Sequence, residues 1–239
     1  MPMRCIGWMA VLTVVKMIKS DLSTAAGPAS ARRDFCVLRI ELDGIDPLVL
    51  RSVIVPKSAN LGWLHAVIQV AMGWTNSHLH QFRLGDRIFS DPTFNLDEFE
   101  GDPPVTDENT VTVGQVGKAR MPALVYEYDF GDSWNHLLTF RPLAEGQYAI
   151  ENRAVCLGGR RACPPEDCGG IPGYEEFLEA LGDNRHPEHR AMKRWIGRPY
   201  DPDVFEVDTV NRCLAKLAWP KVSVPQLGKV ISALYRVKT

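Results

Sequence analysis

The chain lacks any apolar run near the ~20 residues needed to cross a bilayer, so the sequence offers no membrane-spanning helix. It has no G-x-x-x-x-G-K-[ST] phosphate loop. The glycine pairs Gly158-Gly159 and Gly169-Gly170 lack the strand-and-helix setting of a dinucleotide fingerprint. Ser133 has no G-x-S-x-G elbow around it, and a strand neighbour three residues from His136 does not aim at that imidazole. Cysteine is sparse: six in 239 residues exclude a disulfide-dense scaffold, and three of them cluster as C-x6-C-x4-C without a C-x2-C pair, a weak to moderate zinc signal. Charge of one sign is also missing. Twenty-seven Lys and Arg stand against 29 Asp and Glu, a net charge of -2 that excludes a wholesale polyanion binder. Aromatic residues do not interleave with a basic run, as a single-strand nucleic-acid platform would require. There is no internal repeat or heptad.

What is present is ordinary globular composition, 45% hydrophobic and 23% charged. Residues 1–34 read as a separate leader. Its apolar stretch, Ile6 to Val15, is preceded by one basic residue, Arg4, and followed by Lys16, Lys19 and Asp21 before a Ser/Ala/Gly-rich segment ending in Ala29-Ser30-Ala31. That is a poor export signal, so the expected location is the cytoplasm with reduced thiols. The leader reads as disordered, weakly helical or the product of an upstream start, with Met17 an alternative start. Asp91 to Glu108 carries seven acids and no Lys or Arg. Residues from Arg212 onward carry six basic residues and no acid. The division expected is a leader over 1–34, a domain over 35–218 and a basic extension over 219–239. That extension is a candidate contact for nucleic acid.

Phe35 to Leu42 and Val49 to Val55 read as strands of a hairpin joined by Asp43-Gly44-Ile45-Asp46-Pro47. A helix is expected over Leu61 to Met72, capped by Ser58 or Asn60 and stopped by Gly73. Leu61, Leu64, Ile68 and Met72 lie on one face and His65 beside it. His78 to Leu84 and Arg87 to Ser90 form a second hairpin about Gly85-Asp86, and Thr110 to Val113 a short strand. The clearest hairpin runs from Leu124 to Phe130 and from Ser133 to Phe140 about a two-residue Gly131-Asp132 turn. In that register Asp129 faces Trp134 and Glu127 faces His136, all on one side of the sheet, with Tyr126 and Tyr128 on the other. Residues 156–173 read as a long loop. Helices follow over Tyr174–Leu181, over Pro187–Ile196, and from Asp208 with Val210, Leu214 and Leu217 on one stripe.

Three segments carry a resemblance: YDFGDSWNH (Tyr128–His136), RACPPEDCGGIPGYEEFL (Arg161–Leu178) and YDPDVF (Tyr200–Phe205), followed by Val210-Asn211. With the opening strand–turn–strand–helix and WTNSHLHQF (Trp74–Phe82), the chain resembles the plasmid pRiA4b ORF-3-like family over residues 36–217. Members also occur as passengers of insertion elements. The resemblance implies an α+β fold, an antiparallel β-sheet built from hairpins and packed with helices, with a mainly helical C-terminal half. It implies no established reaction. Some relatives carry a resolvase-like label, but this sequence shows no nucleophilic serine within an arginine cluster.

The residues that suit chemistry gather around the third hairpin and the loop after it. His136 with Asp129 or Glu127 has the composition of a metal ligand or an acid–base pair. Cys156, Cys163 and Cys168 with His136 would make a closed zinc site. Glu166 and Asp167 follow two prolines that stiffen the chain, an arrangement suited to a hard cation or a general base. His78 and His80, two apart on an expected strand, are a further metal pair. Against each stands a structural role: Asp129 and Asp132 binding turn amides, Glu166 and Asp167 capping the loop or pairing with Arg160 or Arg161, Tyr128 and Trp134 filling the core. The resemblance, with the absence of a complete catalytic set, implies a non-catalytic binding or accessory module on plasmid or mobile DNA. The alternatives are a metal-dependent hydrolase using His136 with nearby carboxylates, with zinc as the candidate ion, and a nucleic-acid binder acting through the basic tail.

Overall fold

The first hairpin forms where the turn chemistry places it: β1 (Phe35–Leu42) pairs antiparallel with β2 (Leu50–Pro56). The computed structural model describes residues 34–97, 101, 103–118, 123–143 and 153–217. The leader up to residue 33 and the basic extension lie outside the described residues. The chain continues through α1 (Leu61–Met72), β3 (His80–Leu84), β4 (Arg87–Ser90), β5 (Val105–Asp107) and the single turn α2 (Val113–Val116). It then runs through β6 (Leu124–Tyr128), β7 (Trp134–Pro142), β8 (Val155–Arg160), α3 (Gly170–Gly182), α4 (His189–Ile196) and α5 (Val207–Leu214).

The eight strands make one sheet in the order β5-β4-β3-β6-β7-β1-β2-β8. Every pairing is antiparallel except β4 with β5. The α+β class expected from the sequence therefore holds. A mainly helical C-terminal half is not confirmed: among the described residues β6, β7 and β8 lie there with α3, α4 and α5. Two strands fall where the sequence reading assigned none. β5 sits within the acidic segment, and β8 takes the start of the Cys/Gly-rich loop, Gly158 and Gly159 included. Thr110–Val113 is not a strand. It holds the end of a 3-10 turn (Glu108–Thr110), an isolated bridge from Thr112 to Asn60 and the start of α2.

One face of the sheet alternates inward along β1 (Cys36, Leu38, Ile40, Leu42) and packs on α1. The sequence predicted a helix with one apolar face, yet all twelve residues of α1 are buried. Leu, Val, Ile, Ala, Trp and Met side chains cover most of the surface of α1, and its two polar side chains, His65 and Gln69, are buried with hydrogen-bond partners, so the helix is covered all round. The sheet covers one side. The Glu108–Thr110 turn and α5 cover the other, where Trp63 Nε1 donates to the Leu217 carbonyl (3.2 Å). Gly62 permits the close approach of that turn, because a Cβ there would lie 2.6 Å from Asn109 Oδ1. Asn60 caps α1 by accepting from Trp63 N (2.9 Å), and Gly73 ends it in left-handed backbone (φ 95°).

β8 is a sheet edge, and edges invite further pairing. Asn211 of α5 closes it with both ends of one amide: its Oδ1 accepts from Cys156 N (2.7 Å) and its Nδ2 donates to Cys156 O (2.9 Å). A side chain thus takes the place of a ninth strand at that residue. Beside it, Gly159 leaves no room for a Cβ, which would lie 2.6 Å from Leu50 O and 2.7 Å from the Phe205 ring. Arg51 is buried here, donating to the carbonyls of Ala71, Leu50 and Arg160, each at 2.8 Å, with its guanidinium 4.0 Å from the centre of the Phe205 ring. Asn211→Ala leaves one N–H and one C=O of the β8 edge without the amide. We expect a loss of about 2 kcal/mol in chemical denaturation. An unchanged midpoint would show that the amide contributes nothing to closing the edge.

Candidate metal centre

Three segments meet at one end of the sheet: the α1–β3 loop, the β6–β7 turn and the β8–α3 loop. The carboxylate of Glu166 ties them together. Its Oε2 accepts from Thr75 N (2.9 Å) and from Thr75 Oγ1 (2.5 Å), and its Oε1 accepts from Tyr128 Oη (2.5 Å). Tyr128 Oη in turn accepts from the amides of Ser77 (2.9 Å) and His78 (3.3 Å). Burial, with the adjacent carboxylate, holds the Tyr128 hydroxyl far above its ordinary titration range, so it is a fixed donor. Trp74 completes the joint. Its ring stacks on Tyr128 (5.0 Å between centres) and its Nε1 donates to Pro164 O (2.9 Å).

The third hairpin differs from its expected register by one residue. Tyr128 pairs with Trp134, Glu127 with Asn135 and Tyr126 with His136. Tyr126, Tyr128, Trp134 and His136 therefore share the buried face, and Glu127 and Asn135 turn outward. The cause is the turn. Asp129 Oδ1 accepts from the amides of Gly131 (3.0 Å) and Asp132 (3.4 Å), and Asp129 and Ser133 adopt left-handed backbone (φ 58° and 53°). Local carboxylate-to-amide bonding outcompetes one more rung of ladder, giving a five-residue connection in place of a Gly-Asp turn. Asp132 Oδ2 then accepts from Gly169 N (3.2 Å), docking the β8–α3 loop on the turn. Gly170 makes this contact possible: its φ is 67°, and a Cβ would lie 2.8 Å from Asp132 O.

This joint sets His78, Asp129 and Asp167 beside one another. One donor atom from each lies within 4.8 Å of the others. His78 Nδ1 is 3.5 Å from Asp129 Oδ2, and His78 Nε2 is 3.0 Å from Asp167 Oδ1. Although near, that second pair is not aligned as a hydrogen bond, and Nε2 is shielded from solvent without a hydrogen-bond partner. Asp167 is on left-handed backbone (φ 60°), and its side chain is 68% exposed, so the cluster opens to solvent on that side.

Of the residues singled out in the sequence, Asp129 and Asp167 come together here. Glu166 turns away into the clamp. His136 is fully buried: its Nδ1 contacts the carbonyls of Trp134 (3.1 Å) and Tyr126 (3.2 Å), which only accept, so Nδ1 carries the proton. Its Nε2 has no hydrogen-bond partner and its ring meets Trp74 edge-on. Among the described residues, neither His136 nor Cys156, Cys163 or Cys168 belongs to a group of three or more close metal donors. All three cysteines are free thiols, and burial pushes Cys156 up to about 11, Cys168 up to about 12 and Cys163 higher, which disfavours thiolates. His78 and His80 do not pair. His78 precedes the strand, whereas His80 begins β3 and points into the core. Arg161 meets Asp203 (3.1 Å), not Glu166 or Asp167.

Sequence patterning missed a polar assembly inside the core, because its members lie on separate elements. Gln69 Nε2 donates to Tyr126 Oη (3.0 Å), and Tyr126 Oη lies 2.8 Å from His65 Nδ1. His65 Nε2 is 2.7 Å from Asn76 Oδ1, and Asn76 N donates to Gln69 Oε1 (3.0 Å). The donors run one way round: Tyr126 to His65, His65 to Asn76, Asn76 to Gln69, Gln69 to Tyr126. Proton addition to His65 would break the circuit. His65 stacks on His80 (3.5 Å), and His80 Nε2 meets Glu108 Oε2 (2.9 Å), with His80 Nδ1 and Glu108 Oε1 lacking hydrogen bonds. Burial lowers His65 and His80 to about 3 and His136 to about 4, and raises Glu108 to about 7. All four groups are thus held neutral just below pH 7.

A family model described as plasmid pRiA4b ORF-3-like protein matches residues 34–209. Over 187 residues the chain is 38% identical to the uncharacterized protein y4hQ of Sinorhizobium fredii (strain NBRC 101917 / NGR234), covering 76% of this chain and 91% of that protein. The crystal structure of MM3350, a protein of unknown function from Methanosarcina mazei Go1, is similar with a TM-score of 0.62 and 31% identity. It covers 73% of this chain and 96% of that one.

Two outcomes follow from this geometry. Glu166→Ala removes the acceptor for Tyr128 Oη and Thr75 N, and should cost about 2 kcal/mol of stability in a denaturant titration. A wild-type midpoint would show that the clamp is not needed. The second concerns pH. Three histidines with folded values below their ordinary 6.5 take up protons on unfolding, so their contribution is lost as pH falls from about 6.5 toward 3. Glu108, raised from 4.5 to about 7, acts oppositely between those values. Three groups outweigh one, so thermal midpoints should rise from pH 4.5 to pH 6.5. A flat or falling profile would contradict the neutral-histidine core.

Proposed function

Because the chain belongs to the plasmid pRiA4b ORF-3-like family, whose relatives described above have no assigned role, we propose a function from the site: an accessory module that binds a divalent cation through His78, Asp129 and Asp167. One observation carries the reading. His78 Nε2 and Asp167 Oδ1 stand 3.0 Å apart without forming a hydrogen bond. That separation matches two adjacent ligands of an ion with bonds of about 2.1 Å at right angles. The donor set also fits. One imidazole and two carboxylates suit a first-row divalent ion such as Mn²⁺ or Zn²⁺ better than a thiolate-preferring one. Asp129 is held by its turn amides, and the Tyr128 hydroxyl fixes the backbone of His78, whose ring stands edge-on to the Tyr128 ring (5.8 Å between centres). Asp167, the exposed member, would close on the ion.

The assignment replaces His136 by His78 and retains Asp129 and Asp167 from the sequence reading. An origin on plasmid or mobile DNA and a cytoplasmic location are parts of the same proposal. They rest on the family's description and on the poor export signal. Among the described residues no helix is long and apolar enough to cross a membrane. The nucleic-acid reading depends on residues outside the described ones.

The test is calorimetric titration of metal-free, tag-free protein with MnCl₂ and ZnCl₂. We expect one ion per chain, a higher thermal midpoint with ion present, and at least tenfold weaker binding in His78→Ala and Asp129→Asn. Absence of saturable binding, or equal affinity in both variants, would overturn the proposal.

A further inference from the structure

Beside the cation cluster, and sharing Asp167 with it, a groove of about 370 Å³ runs between α3 and α4. Its floor is apolar. Phe177 is buried beneath it, and Trp195 stands against Phe177 with ring centres 5.6 Å apart at 75°. Trp195 is 46% exposed, and among the described residues only Leu79, Leu137 and Val204 are other large hydrophobic side chains left so open. The rim carries Asp167, Glu176, Glu179 and Glu188, and no Lys or Arg lines the groove. Each of these acids is exposed, and Glu176, Glu179 and Glu188 have no salt bridge among the described residues.

We infer that this groove is a docking site for a basic protein segment, taking the side chain of an Arg or Lys into the space over Trp195 with the rim carboxylates around its charge. The chemistry fits on three counts. A long basic side chain has an apolar stem and a charged head, matching an apolar floor inside an acidic rim. Trp is the ring that best attracts a cation to its face. The volume lies at the low end of ligand pockets, which suits one or two side chains and not a folded domain. Arg190, Lys193 and Arg194 of α4 are exposed but line none of it, and the side chains that line it with a full charge are the four acids, beside His186.

The inference stands apart from the cation reading, and its test is run in EDTA so that either can fail alone. A C-terminally amidated peptide, Gly-Ala-Arg-Ala-Arg-Ala-Gly, carrying an uncharged fluorophore is titrated with the full chain and followed by anisotropy, with spermine as a competitor that carries four positive charges against the two arginines. Saturable binding is expected. It should weaken at least tenfold in Trp195→Ala and in the double variant Glu176→Gln/Glu179→Gln, remain within about threefold of wild type in Trp195→Phe, and resist spermine at equal charge concentration. All of these positions are exposed or on the rim, and circular dichroism checks that each variant folds. The inference is overturned by absence of binding. It is equally overturned if Trp195→Ala binds like wild type or spermine displaces the peptide at equal charge, since both mean diffuse attraction to an acidic surface.

Discussion

One carboxylate holds this end of the molecule together. Glu166 receives the Tyr128 hydroxyl on one oxygen and the backbone and side chain of Thr75 on the other. Those bonds join a loop after a helix, a strand and a loop before another helix, segments far apart along the chain. The two prolines before Glu166, Pro164 and Pro165, are buried and stiffen its approach, and Trp74 anchors to the first of them. Through Tyr128 the clamp also fixes the amide of His78. Charge-assisted bonds of this kind are about twice as strong as neutral ones, and three converge here. The joint brings the segments of His78 and Asp167 to Asp129, which its own turn amides hold.

Behind the clamp lies a less usual core. A wholly buried helix is enclosed by sheet, turn and helix, yet its contact with the sheet holds His65 and Gln69 of the helix itself, with His80, Tyr126 and Asn76, and Glu108 reaches His80 from the turn. Such a contact is tolerable because most of its polar atoms are paired and its titratable groups are neutral. The closed circuit through Gln69, Tyr126, His65 and Asn76 also fixes the loop that carries His78, since Asn76 is both a member of the circuit and two residues from it. Core and surface cluster are therefore mechanically continuous.

Much of the fold was legible because it rests on local chemistry. The Asp43–Pro47 turn, the Asn60 cap, the Gly73 stop and the β3–β4 hairpin were all readable from residues a few positions apart. The third hairpin shows where this fails. Gly131-Asp132 is a good two-residue turn, but the Asp129 side chain binds two amides and shifts the register by one, which exchanges the faces of every residue beyond it. β8 was hidden for a different reason. Gly158 and Gly159 are poor strand residues by propensity, and only the nearness of Leu50 and Phe205 makes glycine necessary at the second of them. β5, three residues within the acidic segment, pairs in parallel along the outer edge of β4, a long-range contact that local spacing does not report.

By itself the sequence determined the family, the α+β class and most element positions, and it singled out two of the three clustered side chains, Asp129 and Asp167. These are matters of local spacing and turn preference, which adjacent residues fix. The tertiary structure decided which imidazole joins them. His136 was the nearer candidate along the chain, but a one-residue register places it inside the core, bound to its own strand's carbonyls. His78, on a distant loop, reaches the cluster because Tyr128 and Glu166 hold that loop there. Spacing along the chain cannot report a contact made by long-range hydrogen bonds, and here such bonds choose the site.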